Sequence, residues 1–210
     1  ACNNFVYELN AQGKLRKRHV LSSECMVLYE GKNQQLFYST LNGEFYCADG
    51  KGKTRLLSWH LPVTGMCEDR NSDNYWLLTG SHDVWAYRPM ASSAALSFVK
   101  QQLPASFGST RFRQVVQDPI YHYLWMLSWD YLYVFRPAGG DRLEQVSTDG
   151  LFTPEKKTVS NIYQAKDGDI WIASFDHFSS VVSFRRSDVI NYSYQPMLDA
   201  TAYNPAIVTL

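Results

Sequence analysis

The sequence predicts an all-β chain, and three observations carry that prediction: a high aromatic content, short apolar strands at steady intervals, and a four-strand unit that recurs. Tyr, Phe and Trp (14, 11 and 6 residues) make up 15 % of the 210 residues, and such side chains suit the half-buried, pleated surface of a sheet. With 45 % hydrophobic residues the chain has the composition of a folded protein, and its length suffices to bury a core.

The recurring unit is legible in "KDGDIWIASFDHF", residues 166–178, where an Asp-Gly turn leads into Ile170-Trp171-Ile172-Ala173-Ser174 and then a polar and aromatic cluster. Three segments match it: "GKNQQLFYSTLNGEFYCAD" from Gly31, "NSDNYWLLTGSHDVWAYRP" from Asn71 and "PIYHYLWMLSWDYLYVFRP" from Pro119. Aligning an aromatic or apolar anchor places Leu36, Trp76, Trp125 and Trp171 in register, at separations of 40, 49 and 46 residues. Self-similarity at such a period is the mark of a repeat architecture.

Each element of the unit has its own pattern. A short apolar strand comes first (Cys25-Met26-Val27-Leu28, Thr64-Gly65-Met66-Cys67, Gln114-Val115-Val116, Asn161-Ile162-Tyr163), followed by a polar turn such as Glu68-Asp69-Arg70. The anchor strand is second and ends at Thr40, Thr79, Ser128 or Ser174. A third strand alternates with period two, as in Val84-Trp85-Ala86-Tyr87 and Leu132-Tyr133-Val134-Phe135. A fourth closes the unit, for example Ala95-Leu96-Ser97-Phe98-Val99 or Leu143-Glu144-Gln145-Val146. Four antiparallel strands per unit, repeated radially, make a β-propeller. A β-sandwich also has short, evenly spaced strands, but it does not require one anchor to recur at a long period.

The expected organisation is a β-propeller segment of four full blades between partial ones. A partial blade spans 1–21, full blades span 22–62, 63–110, 111–158 and 159–198, and 199–210 is the first strand of a further blade. An open arc leaves unpaired strand edges, so the segment either closes on its end strands or pairs with a second copy.

Composition excludes several functions. The 20 basic and 20 acidic residues cancel, leaving no field for a polyanion, so nucleic acid is not an expected partner. The one basic run, Lys14-Leu15-Arg16-Lys17-Arg18-His19, reads as a charged edge strand. No stretch reaches the roughly 18 apolar residues of a membrane span. The first residues, Ala1-Cys2-Asn3-Asn4, lack the features of a leader, so the chain reads as a mature or excised piece. Cys2, Cys25, Cys47 and Cys67 show no C-x-x-C spacing, which argues against zinc and thioredoxin chemistry and leaves their disulfide state open. No cofactor is expected.

Asp167-Gly168-Asp169-Ile170-Trp171-Ile172-Ala173-Ser174, with weaker copies around Trp76 and Trp125, resembles the two-component regulator propeller repeat, whose pattern runs D-G-x-I/L-W-I/V-G-T. The resemblance extends through four units. It departs from the pattern where Leu36-Phe37 replaces tryptophan and where the Gly-Thr pair is missing. It implies a slice of the periplasmic sensor of a hybrid histidine kinase, responding to polysaccharide fragments and not itself catalytic. The kinase would lie in a part of the parent protein beyond this segment, and further blades would be among the partners.

In a propeller the turns between second and third strands share a rim with the blade-to-blade links. The residues expected there are His82 and Asp83, Trp129-Asp130-Tyr131, and Asp176-His177, with Trp59-His60 in a link. Asp83, Asp130 and Asp176 take matching places in this alignment, with Asn42 in the first unit. Carbohydrate sites pair an aromatic face with convergent polar groups, which makes Trp129 and Asp130 the leading candidates for an oligosaccharide ligand; a turn Asp also serves by bonding its own backbone. An enzymatic alternative is a polysaccharide lyase or glycoside hydrolase with rim carboxylates such as Asp130 and Asp176. A serine hydrolase lacks its G-x-S-x-G elbow. A protein-interaction scaffold is a third reading, weakened by the absence of Trp-Asp strand endings.

Overall fold

The computed structural model describes residues 4–49, 52–58, 61–89, 97–129, 131–147, 159–165, 168–174 and 179–182. These residues build successive antiparallel sheets, each made of strands adjacent in sequence. A two-stranded sheet holds β1 (Phe5–Leu9) and β2 (Leu15–Val20). The first complete blade runs β3 (Cys25–Glu30), β4 (Leu36–Thr40), β5 (Glu44–Asp49) and β6 (Gly52–Ser58). The second comprises β7 (Val63–Glu68), β8 (Tyr75–Thr79), β9 (Val84–Tyr87) and β10 (Phe98–Gln101). The third comprises β11 (Gln114–Gln117), β12 (Leu124–Leu127), β13 (Leu132–Ala138) and β14 (Arg142–Val146). A fourth contributes β15 (Val159–Gln164), β16 (Ile170–Ser174) and β17 (Ser179–Val182).

The first strands β3, β7, β11 and β15 lie side by side, which sets the blades radially around a common inner wall. The fold is a β-propeller of four-stranded antiparallel blades. No described helix is long and apolar enough to cross a membrane.

The core sits between blades, because the second strands β4, β8 and β12 bury both faces. Phe37, Phe45, Val63, Tyr75, Leu77 and Tyr87 fill the seam between the first and second blades. Trp76, Leu78, Phe107, Phe112, Val115, Met126 and Phe135 fill the next. Trp125, Leu127, Ile162, Ile170 and Ile172 fill the third. Burial of Tyr87 pushes its hydroxyl up to about 12, with the nearby Cys47 and Tyr75 adding to the shift.

Strand pairing corrects the anchor of the first complete blade. Cys67 pairs with Trp76, Val116 with Trp125 and Tyr163 with Trp171, and in the first blade the corresponding pair is Tyr29 with Phe37. The anchor there is Phe37, not Leu36. Successive strand residues point to opposite faces, so Phe37 enters the seam with the second blade whereas Leu36 packs on the other side near Val6, Leu21 and Tyr38.

The strand expected over Ala95–Val99 also shifts: β10 begins at Phe98, which pairs with Tyr87, while Ala95 and Leu96 lie outside the described residues. Cys25 and Cys67 are free thiols, and burial drives the Cys67 thiol well above its ordinary range.

Polar bonds tie the blades together. Ser39 Oγ donates to the Val63 carbonyl (2.8 Å), the Glu68 amide to the Tyr29 hydroxyl (3.1 Å), the Arg70 amide to Gln117 Oε1 (2.5 Å) and the Ile162 amide to Gln114 Oε1 (3.0 Å).

Candidate functional site

In the first three complete blades the Ser or Thr at the end of the second strand closes the turn to the third. Glu44 donates its amide to Thr40 Oγ1 (3.2 Å); Thr79 donates its amide to the Asp83 carbonyl (3.1 Å); Ser128 and Tyr131 exchange an amide–carbonyl bond (2.9 Å) and an amide–hydroxyl bond (3.1 Å). Thr40 thus faces Glu44, Thr79 faces Asp83 and Ser128 faces Tyr131. The structural counterparts of Asp83 are Glu44 and Tyr131, and Asn42 corresponds to Ser81. Asp83 therefore does not match Asn42: Leu41-Asn42-Gly43 and Gly80-Ser81-His82 are equal in length, which puts Asn42 two residues earlier in the turn, and only Trp129-Asp130 is one residue shorter.

Gly43 (φ 81°) and His82 (φ 71°) both occupy the left-handed region at the third place of their turns. Glycine reaches it freely, whereas a histidine is held there against a steric cost.

His82, Asp83, Trp129 and Tyr131 are gathered on this rim. Asp83 is engaged by neighbours: Ser81 Oγ donates to Oδ2 (2.9 Å) and the Lys100 ammonium pairs with Oδ1 (2.7 Å). His82 Nε2 accepts a bond from Arg111 Nε (3.2 Å). Trp129 is 64 % exposed and Tyr131 is exposed beside Tyr133, with ring centroids 6.3 Å apart. Trp59, Asp130, Asp176 and His177, with the neighbouring His60, lie outside the described residues.

The residue that sequence reasoning missed is Arg113. First strands carry an extra residue opposite the end of the second strand: Met26, Thr64 and Ser160 mark register shifts in their blades. In the third blade Gln114 pairs with Leu127 while the Arg113 amide also donates to the Leu127 carbonyl (2.8 Å), so Arg113 takes the corresponding place. A bulge re-aims its side chain. The Arg113 guanidinium donates to the carbonyls of Ser128 (3.0 Å), Ser160 (2.5 Å) and Val159 (3.3 Å), and its carbon lies 5.8 Å from the centre of the Trp129 ring. One side chain therefore joins the rim tryptophan to the seam between the third and fourth blades. The sequence signal was a lone Arg where the other units have Met, Thr and Ser.

Among the described residues, no group of three or more His, Cys, Asp or Glu side chains is placed to hold a metal ion.

The two component regulator propeller family matches residues 155–176. A comparison with curated proteins finds no match. Among solved structures, a streptogramin B lyase is similar with a TM-score of 0.66 at 14 % identity, over 91 % of this chain and 62 % of the other. The extracellular domain of a hybrid two component system from B. thetaiotaomicron is similar with a TM-score of 0.62 at 16 % identity, over 85 % of this chain and 24 % of the other. The β-propeller domain of Cps50 (Swd1) from Myceliophteria thermophila is similar with a TM-score of 0.61 at 9 % identity, over 88 % and 64 %. The chain thus spans less than two thirds of the length of each, and at these identities the likeness is one of fold. The chain thus folds as a β-propeller in which residues 155–176 are similar to the two component regulator propeller family.

Proposed function

We propose that this chain is part of the periplasmic ligand-sensing region of a hybrid two-component system, non-catalytic in itself, and that its second-to-third-turn rim binds an oligosaccharide. The observation that carries the site is Trp129: a largely exposed indole held over Arg113, whose guanidinium grips the carbonyls of the next blade. An exposed aromatic face covers the apolar side of a sugar ring, and adjacent polar groups bond its hydroxyls. Occupancy of that face bears on Arg113 and so on the seam, which gives a ligand different affinities for different blade arrangements. Such a difference is what a sensor needs to pass a signal on.

The test is a thermal-shift screen of the chain against plant and host oligosaccharides, with Trp129→Ala as control. A ligand specific to the folded state adds about 2.7 kcal/mol at 100 times its dissociation constant. The expected result is a raised midpoint that the variant loses; a shift that survives Trp129→Ala would move the site elsewhere.

The likeness to a lyase motivates a second reading, a polysaccharide-cleaving enzyme with rim carboxylates. Its weakness is that the described carboxylates of these turns are already engaged, Asp83 by Lys100 and Glu44 by the Tyr46 hydroxyl. Release of oligosaccharide products, abolished by Asp130→Asn or Asp176→Asn, would establish it in place of the sensor.

A further inference from the structure

We infer, building on the oligosaccharide reading above, that the ligand is an acidic sugar and that Arg111 receives its carboxylate or sulfate group. Arg111 and Arg113 flank the buried Phe112 where the chain runs into β11. Arg111 reaches the rim turn of the second blade through His82, and Arg113 reaches that of the third through Ser128 and Trp129.

Their charges are treated differently from that of Lys100, whose ammonium meets the Asp83 carboxylate. Arg113 is spent on three neutral carbonyls. Arg111 is exposed, and its described partner is the neutral acceptor nitrogen of His82, reached through Nε. Among the described residues its two terminal nitrogens make no hydrogen bond, and neither guanidinium meets a carboxylate.

The imidazole thus holds Arg111 by one edge and leaves the paired Nη edge open, the geometry that binds a planar carboxylate or a sulfate in two-point fashion. His82 supplies this contact from a left-handed backbone position (φ 71°), a local strain of the kind found at ligand clamps. Trp129 supplies the face for the sugar ring to which the acidic group is attached.

The test is calorimetric titration of the chain with four probes: a galacturonic acid trisaccharide, a sulfated galactosamine-containing disaccharide, a neutral galactose trisaccharide and inorganic sulfate. Each is titrated at low and at high salt, into the native chain and into Arg111→Ala, Arg111→Lys and Trp129→Ala, with thermal melts to verify folding.

The expected result is that one or both acidic sugars bind and the neutral one binds more weakly. Arg111→Ala should then lower acidic-sugar affinity about tenfold to a hundredfold, the loss that follows from removing charge-assisted bonds. Arg111→Lys should recover only part of it, and high salt should weaken it. The uronate and sulfate arms identify which acidic group is preferred.

Equal binding of neutral and acidic sugars, with no effect of Arg111→Ala, would overturn the acidic assignment and leave the oligosaccharide reading standing; Asp130 or Asp176 would then be neutralising the arginines. Binding of sulfate alone, lost in Arg111→Ala, would mean an anion site and overturn the sugar. No binding by any probe would overturn both.

Discussion

Asp118 is 0 % exposed, yet its carboxylate accepts the amides of Ile120 (3.0 Å), Tyr121 (2.6 Å), His122 (3.1 Å) and Tyr123 (2.9 Å), and the Trp125 indole N–H lies 3.4 Å away. A buried charge is tolerated only when bonded in this way. Asp69 holds the same turn of the second blade with the Asn71 amide (3.1 Å) and the Ser72 hydroxyl (2.6 Å). Removing Asp118 strands several buried donors, so Asp118→Ala should lower the unfolding free energy by about 3 kcal/mol and Asp69→Ala by about 1 kcal/mol. Urea denaturation of the two variants checks the ranking, and equal losses would contradict it. An acidic residue after the first strand was visible in the sequence; that its carboxylate bonds the turn from inside, rather than standing in solvent, depends on the curl of the backbone around it.

At the scale of elements, the turn between first and second strands has a left-handed residue just before it closes in three blades, whereas in the second, closed from Asp69 to Asn74 (2.9 Å), Asp73 is not left-handed. Closing bonds run from Gly31 to Gln35 (2.8 Å), Asp118 to Tyr123 (3.1 Å) and Ala165 to Asp169 (2.9 Å). The residues before those closures are Gln34 (φ 60°), His122 (φ 58°) and Gly168 (φ 100°). This is the physical reason for the Asp-Gly of the repeat pattern. Gly168 is also needed for space, since a Cβ there would lie 2.6 Å from Pro119 Cγ.

Opposite substitutions should therefore act in opposite directions. Gly168→Ala should destabilise by about 2 kcal/mol, from backbone strain and the Pro119 contact. His122→Gly should stabilise by about 0.5–1 kcal/mol, relieving the strained φ and removing a buried Nδ1 that has no hydrogen-bond partner among the described residues. Thermal melts of both variants read the signs directly; a destabilised His122→Gly would show that the side chain outweighs the strain.

At the scale of the molecule, stability resides in the seams. Trp125 is 2 % exposed and Trp76 7 % because each is packed at the seam with the following blade, whereas Trp171, at the same repeat position, is 48 % exposed. Trp125→Ala should therefore cost about 3–5 kcal/mol and Trp171→Ala about 1–2 kcal/mol, measured by chemical denaturation. Equal costs would mean that Trp171 is covered as fully as the others. Fold carries function no further at this scale: a lyase, the extracellular domain of a hybrid two component system and the propeller domain of Cps50 (Swd1) are similar to this chain with TM-scores between 0.61 and 0.66, and function is specified by the side chains of a site rather than by the fold that carries it.

The all-β class, the blade repeat and the anchor tryptophans were determined by the sequence itself, because strand alternation and turn composition are local properties repeated often enough to be read. The displaced anchor at Phe37 was legible too: Thr40, Thr79, Ser128 and Ser174 each follow by three residues Phe37, Trp76, Trp125 and Trp171, but Leu36 by four. Of the rim residues, Trp129 and His82 could be nominated from their place in a turn. Only the tertiary structure decided what they do there, because the contacts of Arg113 and Arg111 span 46 and 29 residues of sequence, from Arg113 to Val159 and from Arg111 to His82. A one-residue bulge aims Arg113 at the next blade, and a left-handed histidine holds Arg111. Neither a bulge nor the neighbour it meets is encoded by local pattern; both arise when blades pack radially and bring distant turns onto one rim.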